Sequence, residues 1–403
     1  MDRPPSSLLF IHASADLYGS DITLLQIVSG LDRDRFRAVV VVPYAGPLVP
    51  RLQEAGAEVL VYPGLPVVRR QCLRLTGLLR LTLSSLKTAL WLAGVMRRRN
   101  VALVHNSTLA VALAGLAAGL ARRPQLWHVQ EIVTRPRVVA SLLATISSVV
   151  STVVVANSQA TAGHYHRTRF TASAPVRVIP NGVDESRLRD RAGTASRSLV
   201  EASPEDTVFT LVGRINHLKG HAVFLDAAER IAAESENVRF LIVGDSFAGQ
   251  EELTEAVDER IESSDLLRGR AIRLPHTAEI GNVYEASDVV VVPSTEPESF
   301  GLVAAEAMAA GLPVIASRIG ALPEVVNDGS TGILVDPGDA TSLLAAMRKL
   351  HLSPSGRVRM GRLGRERFER CFRVETYVEG FNRVYEELLR KERDYVFSNA
   401  GRG

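Results

Sequence analysis

Short apolar stretches recur along the whole chain and alternate with longer segments of helical periodicity. Seven of these stretches lie in the first half, at residues 8–12, 39–43, 59–62, 101–105, 126–129, 153–156 and 176–179. Six more lie in the second half, at residues 208–212, 240–243, 271–274, 289–292, 314–316 and 332–335. Because they are almost continuously apolar, they predict parallel strands that are buried on both faces. Strands that alternate with helices in this way predict doubly wound α/β domains.

A polar stretch without periodicity, residues 184–204, separates the two runs of predicted strands and is interpreted as a linker. A chain of 403 residues is expected to form two domains. We therefore predict one domain over residues 1–188 and a second over residues 189–375. Residues 374–393 have the pattern of an amphipathic helix.

Composition excludes several classes of protein. The hydrophobic content of 46% and the charged content of 23% support buried cores and exclude a disordered chain. Cys72 and Cys371 lie far apart and lack metal-ligand spacing, which predicts a reducing compartment, the cytoplasm. Three apolar segments, 78–96, 109–120 and 138–156, are interrupted or too short, so we expect buried helices and strands rather than membrane spans.

Ligands of open α/β sheets bind beyond the carboxyl ends of the strands, so residues that follow the predicted strands are candidates for a site. In the second domain these residues are Gly213, Gly244, His276, Glu298 and Ser317. In the first domain they are residues 16–21, Asn106, His128 and Asn157. Two such edges that face each other would form a cleft between the domains.

The stretch E-S-F-G-L-V-A-A-E, residues 298–306, is the most informative in the chain. It follows a predicted strand and places Glu298 in a polar loop, Gly301 at a helix start and Glu306 inside the helix. A helix start offers unpaired backbone N–H groups and partial positive charge, which suit a phosphate. Carboxylates on both sides of an anion site indicate a ligand with hydroxyls at both ends. A nucleotide-sugar, with its ribose, diphosphate and sugar, is such a ligand.

A second candidate element, G-R-I-N-H-L-K-G at residues 213–220, connects a predicted strand to a helix. Arg214 supplies a planar fork of donors and Lys219 a point charge, and a glycine-flanked turn would hold both against a pyrophosphate. Solvated bases in an ordinary turn are the alternative. The element at residues 298–306, about eighty residues downstream, favours the pyrophosphate clamp.

Together with V-I-P-N-G-V-D at residues 178–184, these two elements resemble the retaining glycosyltransferases of family 4. The resemblance extends over nearly the whole chain. It implies the GT-B fold, an α/β architecture in which two Rossmann-like, doubly wound parallel-sheet domains face each other across a cleft. It also implies that the first domain lies on the acceptor side, that the second binds the nucleotide-sugar, and that a terminal helix, residues 376–403, packs back on the first domain.

The resemblance implies transfer of a sugar, with retention of configuration, from a UDP- or GDP-sugar to a glycan, lipid-linked or small-molecule acceptor. Arg214 and Lys219 would neutralise the leaving diphosphate in place of a metal ion, and no cofactor would be required. Glu298 would bind the sugar hydroxyls and Glu306 the ribose hydroxyls. The leaving phosphate would accept the acceptor's proton on a front-side path. The predicted donor-binding residues are Gly19, Gly213, Arg214, Lys219, Gly244, Glu298, Gly301, Leu302 and Glu306.

His128, in W-H-V-Q-E, resembles the family's active-site histidine beside the transferred sugar, and a structural histidine is the alternative. The predicted catalytic residues are therefore His128, Glu298, Arg214 and Lys219. Gly19 and Ser20 stand where the family often has a Gly-Gly pair near the donor phosphates.

No metal site is predicted. Asp32-Arg33-Asp34 matches the D-x-D pattern of metal-dependent glycosyltransferases, but it falls in a charged turn after a predicted helix. It is interpreted as solvated surface. The sequence has no cluster of His, Cys and carboxylate residues with ligand spacing.

Charge is unevenly distributed along the chain. Residues 1–190 contain 22 Lys and Arg against 11 Asp and Glu, whereas residues 191–403 contain 25 against 33. Basic residues crowd one part of the first half: Arg69, Arg70, Arg74, Arg80, Lys87, Arg97, Arg98 and Arg99. They are interpreted either as solvated helix faces or as a patch for an anionic membrane surface or a phosphorylated acceptor. Few aromatics and no recognisable module argue against nucleic acid.

Two other functions remain open. A sugar-nucleotide epimerase or a phosphorylase would share the fold, but a phosphorylase would need a pyridoxal lysine, and the few lysines here lie in no convincing pocket. A catalytically silent subunit that binds a glycan or lipid is the alternative from a different class. The presence of Arg214, Lys219, Glu298 and Glu306 together argues against a silent subunit.

Overall fold

The structure is a computed structural model that describes residues 4–68, 75–119, 123–171, 173–188, 193–247, 249–277 and 279–400. It divides into two compact units. The first unit comprises Met1–Gly182 and Val374–Gly403, and the second comprises Val183–Arg373. Each unit contains one parallel sheet with helices on both faces.

The first unit contains a seven-stranded sheet. Its strands are β1 Ser6–Ile11, β2 Phe36–Val42, β3 Glu58–Val61, β4 Val101–Asn106, β5 Gln125–Val129, β6 Val153–Ala156 and β7 Val176–Val178. They lie in the order β3-β2-β1-β4-β5-β6-β7, and all neighbours are parallel. The helices between them are α1 Gly19–Ser29, α2 Leu48–Glu54, α3 Leu75–Arg98, α4 Ala112–Gly119, α5 Arg137–Val150 and α6 Gln159–Thr168.

The second unit contains a six-stranded sheet. Its strands are β8 Thr207–Val212, β9 Val238–Val243, β10 Ala271–Leu274, β11 Val289–Val292, β12 Val314–Ser317 and β13 Gly332–Val335. They lie in the order β10-β9-β8-β11-β12-β13, again all parallel. The helices are α7 His221–Ala232, α8 Glu251–Ser263, α9 Ile280–Ala286, α10 Leu302–Ala309, α11 Leu322–Val325, α12 Ala340–His351 and α13 Pro354–Cys371. A last helix, α14 Val374–Ala400, belongs to the first unit.

The strand order confirms the predicted fold class. In each sheet the first strand of the unit lies inside the sheet, next to the fourth. The second and third strands extend the sheet on one side of this pair and the later strands on the other, so the direction of strand order reverses between the first and the fourth strand. This is the Rossmann-like arrangement. The reversal lies between β1 and β4 in the first unit and between β8 and β11 in the second. Ligands of such sheets bind at the reversal. The two candidate elements of the second unit follow β8 and β11, so both lie at this point.

The predicted linker at residues 184–204 is wrong, because its described residues, 184–188 and 193–204, form part of the second unit. They contain two 3₁₀ helices, Glu185–Leu188 and Gly193–Val200. Leu188 and Val200 are buried in the core of the second unit. Hydrophobic burial therefore overrides the polar composition of this segment.

The boundary of the first unit falls after Gly182 rather than at the predicted residue 188. Val183 and Arg373 pair as an isolated parallel bridge, and the Val183 amide donates to the Phe372 carbonyl oxygen at 2.8 Å. The bridge brings the two ends of the second unit together.

The apolar segments that were considered as membrane spans lie within folded elements. Residues 78–96 fall in α3, residues 109–119 in a 3₁₀ helix and α4, and residues 138–156 in α5, β6 and the turn between them. Across the described ranges, no helix combines the length and the hydropathy that crossing a membrane would need. Arg69, Arg70, Cys72 and Arg74 lie outside the described residues, and of Arg80 only the backbone is described.

Helix α14 covers one face of the first sheet with an aromatic stripe, whose rings at successive helical turns are Tyr377, Phe381 and Tyr385. Two buried strand histidines lie under this stripe. His105 Nδ1 and the Tyr385 hydroxyl are 2.7 Å apart. The rings of His128 and Phe381 are 4.9 Å apart between centroids. Helix α14 therefore buries the histidine side chains that β4 and β5 direct towards this face.

Replacement of Phe381 by Ala is expected to destabilise the first unit by about 3–5 kcal/mol, because it leaves a cavity under α14. Both tryptophans, Trp91 and Trp127, lie in the first unit, so tryptophan fluorescence during urea unfolding reports on that unit. Val138→Ala is the control, since Val138 belongs to the first unit and is 76% exposed, so its truncation should cost no more than about 0.5 kcal/mol. Equal, small effects of both variants would contradict the packing described for α14.

Acid is expected to destabilise the first unit below about pH 6.5. Burial lowers the pKa of His128 to about 3 and also lowers the pKa of His105 well below its usual range. The unfolded chain therefore binds protons between pH 6.5 and 4 that the folded unit does not, and stability is lost as pH falls.

Between pH 6.5 and 4, the free energy of unfolding of the first unit should fall by about 1.4 kcal/mol less per pH unit in His128→Gln than in the unchanged protein. Unfolding followed by tryptophan fluorescence at several pH values measures it. His276→Gln is the control, because His276 lies in the second unit, which contains no tryptophan. An unchanged slope in His128→Gln would show that this ring is not kept neutral by burial.

Candidate active site

Two loops of the second unit meet at the reversal point of its sheet. The loop at residues 213–220 follows β8, and the loop at residues 293–301 follows β11. The Thr295 amide donates to the Leu218 carbonyl oxygen at 2.9 Å. Gly220, with φ of 72°, immediately precedes α7, and a Cβ there would lie 1.9 Å from the Pro293 carbonyl oxygen. Only glycine permits this contact between the two backbones.

Lys219 and Glu298 form the central ion pair of the site. The Lys219 ammonium and the Ser294 hydroxyl each donate to Glu298 Oε1, both at 2.6 Å. The Glu298 side chain is 14% exposed. Burial raises the pKa of Glu298, but the charge and hydrogen bond of Lys219 and the hydrogen bond of Ser294 together outweigh it, so the net pKa is lowered. Within the described part of the chain, Glu298 Oε2 accepts no hydrogen bond.

The backbone of Glu298 is held by the loop that follows β12. The Ala321 amide donates to the Glu298 carbonyl oxygen at 2.9 Å. Gly320, with φ of 59°, lies so close that a Cβ would be 2.4 Å from the same oxygen. Glu298 is therefore fixed both at its carboxylate and at its main chain.

Arg214 does not join the ion pair. Its guanidinium lies over the ring of Phe247, 3.6 Å from the ring centroid, in a cation–π contact. Phe247 follows β9 and is 46% exposed. The predicted clamp residues Arg214 and Lys219 thus have different partners, an aromatic ring and a carboxylate.

Glu306 lies in α10 and forms a second polar contact. The Tyr284 hydroxyl of α9 donates to Glu306 Oε2 at 2.7 Å. Burial raises the pKa of Glu306, while this hydrogen bond and the charge of Arg187 lower it in part. The segment that was interpreted as a linker therefore brings Arg187 into this region.

The remaining predicted donor-binding residues of the second unit are Gly213, Gly244, Gly301 and Leu302, which lie just after strands or at the start of α10. The Gly213 amide donates to the Val243 carbonyl oxygen at 2.9 Å, and the Gly244 amide to the Leu274 carbonyl oxygen at 3.0 Å. Gly301 immediately precedes α10, and Leu302 is its first residue. The structure thus brings the donor-site residues predicted in this unit to one edge of the sheet, as expected from strand order.

The sequence predicted that His128 follows its strand. In the structure it lies within the strand. It is the fourth of five residues in β5, and its 1% exposed side chain packs under α14. Gln130 occupies the strand end instead. Its Oε1 accepts from the Thr23 hydroxyl at 2.8 Å, and its Nε2 donates to the Ser107 carbonyl oxygen at 3.2 Å. A role of His128 beside a sugar remains a prediction.

Gly19 is the exposed first residue of α1, at the end of a loop organised by Asp21. The Asp21 carboxylate pairs with His12 Nε2 at 2.7 Å and accepts from the Tyr18 amide at 2.9 Å. Asp32 and Asp34 are exposed, in agreement with a solvated turn. Among the described residues, no group of three or more His, Cys, Asp or Glu is arranged to hold a metal ion.

Several residues of the site had no clear signal in the sequence. They are Ser294, Gly320, Tyr284, Arg187 and Phe247. Each reaches the site from a different strand, helix or loop, and serine, tyrosine, arginine and phenylalanine are ordinary at such positions. A glycine soon after a predicted strand, as in I-G-A-L-P at residues 319–323, is the one feature that indicates a close backbone approach.

Comparison with known proteins identifies the family. Residues 18–187 match the family described as Glycosyltransferase Family 4, and residues 206–352 match the family described as Glycosyl transferases group 1. The D-inositol 3-phosphate glycosyltransferase of Saccharomonospora viridis is 32% identical over 311 residues, which cover 74% of this chain and 69% of that protein. The enzyme of the same name from Segniliparus rotundus is 34% identical, covering 74% and 65%.

The aligned region covers only part of this chain and only part of each relative. For the relative from Corynebacterium jeikeium, 37% identical, it spans 53% of this chain and 52% of that protein. The chain thus spans about half to two thirds of the length of the curated relatives it matches.

Solved structures show the same fold. Anabaena Alr3699/HepE in complex with UDP and glucose superposes with a TM-score of 0.79 at 23% identity, over 94% of this chain and 99% of that one. Sucrose-phosphate synthase from Thermosynechococcus elongatus gives 0.77 at 21% identity, over 96% and 100%. With the matches on both halves and the relative that it covers by more than two thirds, the chain belongs to the group 1 glycosyltransferases, family 4.

Proposed function

We propose that this protein transfers a sugar from a nucleoside-diphosphate sugar to an acceptor hydroxyl, with retention of configuration. The observation that carries the proposal is the cluster in which Lys219 and Ser294 donate to one oxygen of Glu298, just ahead of α10. A cation, a carboxylate and a helix N-terminus are combined at one sheet edge. Relatives named as glycosyltransferases support the same activity.

The start of α10 suits the diphosphate. The N–H groups of a first helical turn have no partner within the helix, and the helix end carries partial positive charge. Together they would bind phosphate oxygens. The Lys219 ammonium adds a full charge in the neighbouring loop. Arg214 would supply a second cation after leaving the ring of Phe247.

Glu298 suits the transferred sugar. Its lowered pKa keeps it a carboxylate, which can only accept hydrogen bonds and would repel a phosphate. Oε1 is engaged by Lys219 and Ser294, so Oε2 would accept from a sugar hydroxyl. Glu306 would accept from the ribose through the oxygen that Tyr284 does not occupy.

In the proposed reaction, the acceptor oxygen forms a bond to the anomeric carbon while the bond from that carbon to the diphosphate breaks. The leaving diphosphate takes the proton of the acceptor hydroxyl. Lys219, Arg214 and the first N–H groups of α10 offset the charge that develops on the diphosphate, in place of a metal ion.

The classes of donor and acceptor are inferred from similar proteins and from the charge distribution of the chain. The complex of Alr3699/HepE with UDP and glucose favours a UDP-sugar over a GDP-sugar. The name D-inositol 3-phosphate glycosyltransferase of several relatives favours a phosphorylated acceptor, either a small polyol or a lipid-linked envelope glycan. The excess of Lys and Arg over residues 1–190 agrees with an anionic acceptor. The two cysteines favour the cytoplasm.

A panel of donors and acceptors, with nucleoside diphosphate release as the readout, tests the proposal. Release that requires both substrates supports transfer. An epimerase would convert the donor without any acceptor, and a silent subunit would bind neither UDP nor GDP in a calorimetric titration. Either result would replace the proposal.

Lys219→Met and Glu298→Gln are each expected to lower kcat/KM for transfer by about 100-fold or more, as removal of a preorganised group in an active site does. Lys349→Met and Glu296→Gln are matched controls, because both residues are exposed and Glu296 lies two positions from Glu298. Steady-state kinetics measures the effect, with the thermal unfolding midpoint as a check of folding. Full activity in either site variant would remove that residue from the mechanism.

Transfer is expected to proceed in EDTA at an unchanged rate. Lys219 and Arg214 supply the positive charge that a divalent ion would otherwise bring to the diphosphate. The rate is measured before and after exhaustive chelation, with the chelator added to a metal-dependent enzyme in parallel. Loss of activity that Mn²⁺ or Mg²⁺ restores would show that a metal takes part.

A further inference from the structure

Helices α3, α4, α5 and α6 form one layer on the face of the first sheet that is opposite α14. Buried side chains of all four helices contribute to the same core cluster under this layer. Helix α4 packs between α3 and α5, and α5 packs beside α6. We call the outward side of this layer the α3–α6 surface. All of its helices belong to the first unit.

The α3–α6 surface exposes a set of large apolar side chains. Their exposed fractions run from 39% for Leu116 to 76% for Val138. The set consists of Leu86 and Leu90 on α3, Leu116 on α4, Val138, Leu142 and Val149 on α5, and Phe170 just after α6. Single exposed apolar residues are ordinary, but a set on adjacent helices of one layer marks an interaction surface.

Helix α5 shows the arrangement most clearly. Val138, Leu142 and Val149 recur at a spacing that places them on one side of the helix, while its opposite side is buried against the core. The helix contains a single charged residue, Arg137. A surface helix normally carries polar and charged residues on its outer side. Phe170 adjoins it, because the Phe170 amide donates to Thr145 Oγ1 of α5 at 2.9 Å.

The charged residues of residues 59–183, which include helices α3 to α6, are almost all basic. Residues 59–183 contain 15 Lys and Arg and one acidic residue, Glu131. Burial raises the pKa of Glu131, and its carboxylate accepts from the Thr108 hydroxyl. Helices α3 to α6 contain no Asp or Glu. Exposed basic residues lie on these helices and near their ends: Lys87, Arg97, Arg98, Arg123, Arg135 and Arg137.

We propose that the α3–α6 surface docks reversibly on an anionic phospholipid bilayer. Exposed leucine, valine and phenylalanine side chains would enter the boundary between headgroups and acyl chains, and the surrounding arginines and Lys87 would bind the headgroup phosphates. A second copy of the chain is a poorer partner, because two such surfaces would bring like charges together. The docking surface thus includes α4, α5 and Phe170 as well as α3.

Flotation of the full chain with vesicles tests the proposal. Vesicles of phosphatidylglycerol and phosphatidylcholine should bind the protein at low salt, and vesicles of phosphatidylcholine alone should not. Binding should fall steeply as salt is raised, because exposed charges are screened. The double variant Val138→Asp/Val149→Asp should bind at least about tenfold more weakly, since it places acidic groups on the docking side of α5.

Leu352→Asp/Val358→Asp is the matched control, because these side chains are 73% and 75% exposed and lie in the second unit. It should bind vesicles like the unchanged protein. Equal loss in both double variants, or no binding to anionic vesicles at low salt, would overturn the proposal. A dimer in sedimentation that only the α5 variant dissociates would also overturn it, in favour of an interface between copies.

The proposal is separable from the proposed function. Flotation needs neither donor nor acceptor, so it reads out docking even if the protein transfers no sugar. Calorimetric binding of UDP should be the same in both double variants, because the predicted donor residues of the second unit are untouched. UDP binding without flotation would refute docking alone, and flotation without UDP binding would refute the donor proposal alone.

Discussion

The close approach of two backbones, at Gly220 and Pro293, is the constraint on which the rest of the second unit's site depends. It sets the loops after β8 and β11 side by side, so that Lys219 from one reaches Glu298 from the other. A buried carboxylate without a partner would be costly, and a buried pair is stable only when its remaining atoms are well bonded. Ser294 adds a second donor at Glu298 Oε1 and the Ala321 amide holds the Glu298 main chain, whereas Oε2 keeps its capacity to accept from a ligand.

Local patterns predicted the elements of the fold but not every contact between them. The thirteen strands that the described residues form were all recognisable, because parallel strands buried on both faces are nearly continuous in apolar residues. Glu298, Lys219 and Gly301 were recognisable because each follows or precedes such an element. Tyr284 could not be found in this way, since its bond to Glu306 joins two helices whose relative placement depends on the packed core.

Two errors have the same physical origin. Residues 184–204 look like a linker because they are polar, yet Leu188 and Val200 lie in the core of the second unit. His128 looks like an edge residue because it stands near the end of its strand, yet it lies within β5 and its ring packs against α14. In both cases one or two side chains decide the position of a segment, and their destination depends on elements far away in the sequence.

The place of α14 has a consequence for the synthesis of the chain. The second unit, Val183–Arg373, interrupts the first, so α14 leaves the ribosome only after the whole of that unit has been made. At about 5–20 residues per second, translation of a unit of this size takes on the order of 10–40 s. During that interval the strands of the first sheet lack the aromatic cover of Phe381 and Tyr385, and His105 and His128 stay open to water. The second unit can therefore be complete before the first, although most of the first is synthesised earlier.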